Sequence, residues 1–326
     1  MSTSPTVCIT GGTGFIGAHV AASLIDRDCE VIVFDQDEDQ WRLDHLGIGD
    51  EVIIQRGDIR NYEDILSALE AYEATHVIHL AAMPSNSIRH HPDTGIKVNI
   101  IGTTNLLEAV SELHPQIQRV VIASSESVYG EFRHTGNFPI EENAPVSPNS
   151  LYGATKAFND QQAMFYQKRY ELPILTIRPT FVYGSAHVRD APLPDMFQSP
   201  SARFAHEIMQ LIETGSGRIT DDGIPRDWVH VSDVARMFSK AAIEPLQLSQ
   251  ITYHCATGTL TEMREVVDLL RAILPQCEIN RYSTSDYEVD SVRALTPANA
   301  QKDIGFSATL GLEEGLRECV TGLTDL

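Results

Sequence analysis

The N-terminal half of the chain alternates short runs of β-branched apolar residues with longer amphipathic segments. Six apolar runs predict strands over 6–10, 30–34, 52–59, 76–82, 119–125 and 174–178. The runs are apolar throughout rather than alternating, which is typical of strands buried on both faces of a sheet. Helical spacing predicts helices between them, over 15–26, 61–71, 94–113 and 152–170. The pattern predicts an α/β fold, a doubly wound parallel sheet with helices on both faces.

The alternation stops after Gly184, where a stretch rich in Pro, Asp and Ser runs from 185 to 201. Beyond it, the pattern predicts helices over 203–214, 233–242, 261–274 and 312–322 and a strand over 252–255. Ser232 and Thr261 are the predicted N-caps of two of these helices. We therefore predict a smaller lobe laid over the ligand edge of the sheet.

Three glycines spaced three apart follow the first apolar run. Gly11, Gly14 and Gly17 stand between a predicted strand and a predicted helix, the setting in which such a turn presents helix N–H groups to a pyrophosphate. Asp35 ends the second run, where a carboxylate binds both adenosine ribose hydroxyls and repels a 2′-phosphate. No Arg or Lys follows Asp35 until Arg42. The sequence therefore predicts NAD(H) rather than NADP(H).

This turn defines the expected domains. We predict an NAD-binding Rossmann domain over 1–184, with returning segments near 225–258, and a mainly substrate-binding lobe over 185–326.

Three side chains are the strongest candidates for chemistry. Ser125 ends the fifth run, at the edge where parallel sheets bind ligands. Tyr152 and Lys156 are four residues apart on a predicted helix and share one face. A phenol with a pKa of about 10 is a weak base at neutral pH, but a neighbouring ammonium favours the phenolate. We predict that Tyr152 takes a hydroxyl proton as a hydride leaves the carbon, while Ser125 holds the oxygen and Lys156 also binds the nicotinamide ribose.

Further motifs surround these residues. They are Thr10-Gly11-Gly12-Thr13-Gly14-Phe15-Ile16-Gly17, Gly57-Asp58-Ile59, His79-Leu80-Ala81-Ala82, Asn99 with Gly102-Thr103, Ser124-Ser125-Glu126-Ser127-Val128-Tyr129-Gly130, Tyr152-Gly153-Ala154-Thr155-Lys156, Arg178-Pro179 with Val182-Tyr183-Gly184, Arg226-Asp227-Trp228-Val229-His230-Val231 and Leu312-Glu313-Glu314-Gly315-Leu316. With these motifs, nearly the whole chain resembles the extended short-chain dehydrogenases/reductases, the NAD-dependent epimerase/dehydratase family.

The resemblance implies a set of site residues. Asp58 is expected near the adenine, and Asn99 is expected to support the active site. The implied cofactor-binding residues are Gly11, Gly14, Phe15, Ile16, Gly17, Asp35, Asp58, Ile59, Leu80, Ala81, Ala82, Asn99, Tyr152, Lys156, Pro179 and Val182. The expected substrate contacts are Met83, Ser125, Glu126, Tyr152, Phe181 and Arg226.

The chain departs from the family pattern at three places. Dehydratases of the family carry acids directly after the catalytic Ser or Thr, whereas this chain has Glu126-Ser127, so we disfavour dehydration. Enzymes acting on nucleotide sugars usually have Asn before Val-Tyr-Gly, where this chain has Phe181. The insert after Gly184 also differs. The last two departures favour a free sugar or a sugar acid.

Arg226 has two open interpretations. In nucleotide-sugar enzymes the matching arginine clamps a diphosphate, for which a guanidinium fork is suited. Alternatively, it forms an ion pair with Asp227 or Asp233. Arg189 and Arg293 are weaker candidates for substrate contacts.

The expected activity is NAD-dependent oxidoreduction at a secondary hydroxyl of a sugar-type substrate. The first interpretation is a nucleotide-sugar epimerase, in which the hydride returns to the other face of the ketone. The alternative is a sugar or sugar-acid dehydrogenase that releases NADH. A dehydratase or a non-catalytic NAD-binding protein is a weaker interpretation.

Composition limits the partners. The net charge is −21, with five Lys and 19 Arg against 45 acids, which argues against nucleic acid and anionic membranes. An acid-rich surface also suits a high-salt cytoplasm, so salt adaptation is a hypothesis beside that of an ordinary acidic enzyme.

Less specific sequence features predict the localisation, the absence of a metal site and the oligomeric state. Five scattered cysteines, no leader and no long apolar stretch predict a cytoplasmic protein. His90, His91 and His187 lack a third ligand at a recognisable spacing, so no metal site is expected. The resemblance implies a homodimer, formed through the helices over 94–113 and 152–170.

Overall fold

The structure is a computed structural model that describes residues 4–130, 139–189, 199–284 and 294–324. Its strands are β1 (Thr6–Thr10), β2 (Glu30–Asp35), β3 (Ile53–Arg56), β4 (His76–His79), β5 (Arg119–Ala123), β6 (Ile174–Pro179), β7 (Phe181–Tyr183), β8 (Ser216–Asp221), β9 (Arg226–His230), β10 (Thr252–Cys255), β11 (Leu260–Thr261) and β12 (Glu278–Ser283). Its α-helices are α1 (Phe15–Ile25), α2 (Trp41–His45), α3 (Tyr62–Ala71), α4 (Ser85–His90), α5 (Pro92–Ile96), α6 (Gly102–Glu112), α7 (Leu151–Tyr170), α8 (Pro200–Thr214), α9 (Val231–Ile243), α10 (Met263–Ile273), α11 (Ala298–Asp303) and α12 (Leu312–Thr324).

A seven-stranded parallel sheet with the order β10-β6-β5-β4-β1-β2-β3 forms the centre of the fold. The central strand β1 is buried along its whole length because helices cover both faces of the sheet. The predicted α/β class and parallel sheet are confirmed. The seventh strand, β10, comes from the C-terminal half of the chain and pairs with β6.

Two apolar layers enclose this sheet. On one face, α1 and α9 pack against residues such as Val7, Val33 and Val121. On the other face, α3, α6 and α7 cover Cys8, Ile32 and their neighbours. A third cluster joins α8, α10 and α12 around Trp228 and forms the core of a smaller lobe. The lobe contains two small sheets, β11-β9-β7 and β12-β8.

Three strands end earlier than the sequence pattern predicts. β3 ends at Arg56, β4 at His79 and β5 at Ala123. The residues that follow them, including Asp58, Ala82 and Ser125, therefore lie in connections at the carboxyl edge of the sheet. Parallel α/β sheets bind ligands at this edge.

Three local predictions are wrong. The helix predicted over 94–113 is divided, because residues 97–101 form a π-helical turn between α5 and α6. Ser232 is not the cap of α9: the His230 ring accepts a hydrogen bond from the Ser232 amide and caps the helix. Thr261 lies in β11, paired with Arg226, so α10 begins one residue later and its cap is Glu262.

No helix among the described residues combines the length and the apolar character that crossing a membrane requires.

Candidate active site

The glycine turn between β1 and α1 offers free backbone donors. Gly14 caps α1 without a side-chain hydrogen bond, and the first turn of the helix contains no acidic residue. Gly11 has a φ of +73°, and a Cβ on it would lie 2.7 Å from the Ala81 amide nitrogen, so this position requires glycine. The uncapped N–H groups and the local positive potential of the helix start fit a pyrophosphate. The chain's own residues thus fit a dinucleotide at this turn.

Asp35 lies next to this turn at the end of β2. Its carboxylate accepts hydrogen bonds from the Thr13 amide, at 3.3 Å, and from the Thr13 hydroxyl, at 2.7 Å. The Asp37 amide also donates to Asp35, at 3.3 Å. Because a carboxylate has about four acceptor positions, a further donor can still be bound. Asp35 is therefore fixed against the turn and keeps capacity for a ribose hydroxyl.

Asp58 is held by a neighbouring cation. The Arg60 guanidinium donates to both Asp58 carboxylate oxygens, and this hydrogen-bonded pair holds the pKa of Asp58 below its usual range. The side chain is about one-third exposed. Asp58 lies two residues beyond the end of β3, at the edge of the sheet where an adenine is expected.

Arg42 is the first cation after Asp35, and its guanidinium is occupied by backbone carbonyls. It donates to the oxygens of Thr13 at 3.3 Å, Ala186 at 3.0 Å and His187 at 3.1 Å. These bonds tie the glycine turn to the segment after β7. The His187 ring stacks on Phe15, with centroids 3.8 Å apart. Arg42 is therefore engaged by protein atoms rather than presented to a 2′-phosphate.

The three predicted catalytic side chains converge at the end of β5. The Lys156 ammonium is buried and donates to the Ala123 carbonyl at 2.8 Å, and it lies 5.7 Å from the centroid of the Tyr152 ring. Burial lowers the pKa of Lys156 to about 8, and Asp160, one turn further along α7, acts in the opposite direction. Ser125 caps a short 3₁₀ turn and donates to the Ser127 hydroxyl at 3.2 Å.

A buried hydrogen-bond network holds together the segments next to the three catalytic side chains. Asn99, in the π-helical turn, accepts from the Met83 amide at 2.7 Å and donates to the Met83 carbonyl and the Thr155 hydroxyl. His79 joins Thr10, at the end of β1, to Thr103 in α6. Burial lowers the pKa of His79 to about 3, so its ring is neutral. Every polar atom of the Asn99 side chain is bound within the protein, as expected of a supporting residue.

A cavity of about 900 Å³ connects the glycine turn with the catalytic side chains and the smaller lobe. This volume lies at the upper end of the roughly 300–1,000 Å³ of small-molecule pockets. The predicted residues that line it are Gly11, Gly14, Phe15, Ile16, Gly17, Leu80, Ala82, Ser125, Glu126, Tyr152, Lys156, Pro179, Phe181, Val182 and Arg226. The predicted residues outside its lining are Asp35, Asp58, Ile59, Ala81, Met83 and Asn99.

Arg226 forms an ion pair, but with neither of the two acids that the sequence suggests. Both of its terminal nitrogens bind the Asp222 carboxylate, one of them at 2.9 Å, and both side chains are largely buried. Asp227 instead accepts from the Thr257 and Gly258 amides, and Asp233 from those of Thr309 and Leu310. Although burial opposes it, Arg226 holds the pKa of Asp222 below its usual range.

The Phe181 ring adds an apolar surface beside Arg226. It packs against Trp228, with ring centroids 4.6 Å apart, and the Arg226 guanidinium lies 5.2 Å from its centroid. Arg189 also lines the cavity and pairs with Asp39. Arg293 lies outside the described residues.

Two cavity residues carry polar atoms that sequence reasoning did not single out. The Ser124 hydroxyl and the Nε2 atom of His206 are buried, and neither has a hydrogen-bond partner among the described residues. His206 lies on α8, whose amphipathic pattern gave no indication of which polar position faces a ligand. Within the described ranges, no three His, Cys, Asp or Glu side chains are grouped to hold a metal ion.

Comparison with known proteins identifies relatives along the whole chain. The sequence profile described as the NAD dependent epimerase/dehydratase family matches residues 7–255. The dTDP-glucose 4,6-dehydratase of Xanthomonas campestris pv. campestris is 28% identical over 335 residues, covering 94% of this chain and 90% of that protein.

Solved structures agree with the sequence match. The UDP-glucose 4-epimerase of Thermotoga maritima, determined with UDP-glucose, has a TM-score of 0.83 and 26% identity, covering 98% of this chain and 99% of that one. The UDP-glucose 4-epimerase of Thermus thermophilus, in complex with NAD, has a TM-score of 0.80 and 27% identity, with the same coverage. The resemblance drawn from the sequence motifs is confirmed.

Proposed function

Because the chain belongs to the NAD-dependent epimerase/dehydratase family, we propose that it is a nucleotide-sugar epimerase that inverts a secondary hydroxyl. The convergence of Tyr152, Lys156 and Ser125 on the cavity that starts at the glycine turn carries this proposal. Its relatives include UDP-glucose 4-epimerases, so UDP-glucose is the first substrate to test.

The side chains divide the chemistry among them. NAD, when bound, supplies the hydride acceptor and donor. Tyr152 removes the proton of the substrate hydroxyl, because the Lys156 ammonium lowers the energy of its phenolate. Ser125 holds the oxygen through both half-reactions. After the ketone has turned in the cavity, Tyr152 returns the proton to the new hydroxyl.

The residues around Ser125 favour epimerisation over dehydration. Elimination of water needs an acid and a base beyond Tyr152, and Glu126 is the acid that directly follows Ser125 on the cavity wall. The next residue is Ser127, which is bound to Ser125 and cannot act as a carboxylic acid. A relative that carries out dehydration therefore does not make dehydration the best-supported reaction here.

One incubation tests the proposal. Purified protein, NAD and UDP-glucose are mixed, the sugar is analysed for its 4-epimer, and absorbance is followed at the NADH band. An epimer without net NADH is the expected result. Unchanged UDP-glucose, together with no reaction of UDP-glucuronate or dTDP-glucose, would contradict the proposal.

A second candidate is a dehydrogenase for a free sugar or sugar acid. It is favoured by the Asp222–Arg226 pair, which neutralises the guanidinium that would otherwise meet a diphosphate, and by the apolar Phe181. NADH that accumulates with D-glucuronate or another free sugar, but not with UDP-glucose, would identify this activity.

We also propose a homodimer. The exposed side of α7 presents Leu151, Phe158 and Phe165 at intervals of seven residues, and Phe165 is 59% exposed. Ile101, in the adjacent π-helical turn, is 47% exposed. Contiguous apolar side chains on a surface mark an interface. Sedimentation should give a dimer, and Phe158→Glu should shift it towards the monomer; a monomeric wild type would contradict this proposal.

A reducing, cytoplasmic setting is proposed from the cysteines, since all five are unpaired and four are buried. Salt adaptation remains a hypothesis based on the charge of −21. A melting temperature that rises steeply in molar KCl would support it, and a flat response would count against it.

A further inference from the structure

His206 combines burial, position on the cavity wall and an unused polar atom. Its side chain is 8% exposed, it lines the 900 Å³ cavity, and within the part of the chain that the structure describes its Nε2 atom has no hydrogen-bond partner. A buried polar atom that stays unpaired is costly, and native proteins seldom leave one without a function. Because Nε2 itself has less than 1 Å² of accessible surface, a ligand in the cavity reaches this atom only after the imidazole ring turns towards the cavity.

The neighbouring side chain on α8, Glu207, has its hydrogen-bond partners within the smaller lobe. Glu207 points to β8, where its carboxylate accepts from the Thr220 amide at 3.0 Å and the Thr220 hydroxyl at 2.5 Å. Burial raises the pKa of Glu207 despite these bonds. The smaller lobe thus binds the acid and leaves the adjacent imidazole to the cavity.

The surroundings of His206 favour an anionic oxygen as its partner. Arg203 is three residues earlier on α8 and also lines the cavity, so the two side chains share one helix face. Arg226 lies on the same cavity, with its charge balanced by Asp222. A guanidinium is the side chain best suited to phosphoryl oxygens, so Arg203 makes an anionic ligand on this face favourable.

We propose that His206 is a substrate-binding residue whose Nε2 donates to a phosphoryl oxygen of the nucleoside diphosphate. The inference rests on the proposed function. It adds a residue that binds the diphosphate, which is the part of the substrate that does not react. Because His206 belongs to the smaller lobe and the reacting groups belong to β5 and α7, its removal should weaken binding without changing the chemical step.

Binding of UDP to the NAD-loaded protein, measured by calorimetry, tests the assignment. His206→Leu should raise the Kd for UDP about 10- to 100-fold, because a hydrogen bond to a charged group is lost. His206→Gln can place an amide nitrogen near the position of Nε2 and should stay within about threefold of wild type. With UDP-glucose, His206→Leu should raise KM and leave kcat nearly unchanged.

Tyr183→Phe is the matched control. The Tyr183 hydroxyl is likewise buried and has no partner among the residues that the structure describes, but Tyr183 does not line the cavity. Neither change should lower the melting temperature, since each removes an unpaired buried polar atom. Tyr183→Phe should leave the Kd for UDP unchanged.

The outcomes separate this inference from the proposed function. An unchanged Kd for UDP in His206→Leu, or a wild type that does not bind UDP, would overturn the role of His206. A wild type that binds UDP but does not interconvert UDP-glucose would contradict the epimerase alone, and the calorimetric comparison would still decide the role of His206.

Discussion

The cavity wall formed by the sheet and the wall formed by α8 hold their polar side chains in different ways. On the sheet wall, Lys156 is bound to Ala123 and Ser125 to Ser127, with Ser124 as the exception. On the α8 wall, Nε2 of His206 has no partner within the described ranges of the chain. The reacting groups are thus oriented before a substrate arrives, whereas the α8 wall retains binding capacity for it.

This difference separates the two tasks of the site. A catalytic wall gains rate when its groups need no reorganisation during the reaction. A recognition wall gains affinity from contacts that form only with the ligand. Changes on the sheet wall should therefore alter kcat or stability, and changes on the α8 side should alter KM.

The largest effect is expected from Tyr152→Phe on the sheet wall. Loss of the phenol removes the proton acceptor, so kcat should fall about 10²- to 10⁴-fold, the usual contribution of general acid–base catalysis. The melting temperature and the KM for UDP-glucose should change little. Tyr170→Phe, at the far end of the same helix, is the control. Turnover within tenfold of wild type would show that Tyr152 is not the catalytic base.

The next largest effect is expected from Asp160→Asn, which removes an ion pair between α7 and the sheet. Asp160 and Arg178 form a buried pair with an N–O distance of 2.7 Å. Asp160→Asn leaves the guanidinium buried and unbalanced, so chemical denaturation should show a loss of about 3–5 kcal/mol. Asp268→Asn breaks an exposed pair with Arg271 and should cost no more than about 1 kcal/mol. Similar losses in the two variants would contradict the role of burial.

The pH dependence of kcat/KM tests whether catalysis needs the positive charge of Lys156. Burial lowers its pKa to about 8, so the amine loses its proton as the pH rises through that value and no longer favours the Tyr152 phenolate. The rate should then fall, approaching tenfold per pH unit above about pH 8. Lys156→Arg keeps its charge, so its slower rate should show no such decline up to pH 10. A wild-type profile that is flat to pH 10 would contradict this account.

The smallest effect is expected from Asp222→Asn, next to Arg226 on the part of the cavity wall that the smaller lobe forms. The amide no longer neutralises Arg226, so the KM for UDP-glucose should fall roughly three- to tenfold while kcat stays the same. Asp221→Asn, one residue earlier, is the control. A KM that rises in Asp222→Asn would mean that the carboxylate orients Arg226 rather than competing with the substrate.

The same contrast explains what the sequence could predict. The dinucleotide turn needs glycine at fixed positions, and Tyr152 and Lys156 must share a helix face, so type and spacing identify them. Apolar strands buried on both faces identify the parallel sheet in the same way. Each of these constraints operates over a few consecutive residues.

The recognition side depends on contacts between distant segments. His206 faces the cavity only because α8 packs against β8 and α12, and its helical pattern resembles that of any half-buried helix. Asp222 reaches Arg226 through the turn between β8 and β9, whereas the sequence suggested Asp227, one residue from Arg226, or Asp233, seven residues away. A pattern of apolar positions also cannot reveal the π-helical turn, because apolar spacing continues through it.

That turn constrains the length of the chain as well as its residue types. A π-helical turn accommodates one residue more than the α-helix does over the same rise. Deleting a single residue from 97–101 would convert this turn into a regular α-helix, so the flanking helices would keep their orientation while the wide turn that places Asn99 would be lost. The Asn99 amide would then leave the Met83 backbone. Among homologues, a gap at this position should therefore be rarer than a substitution.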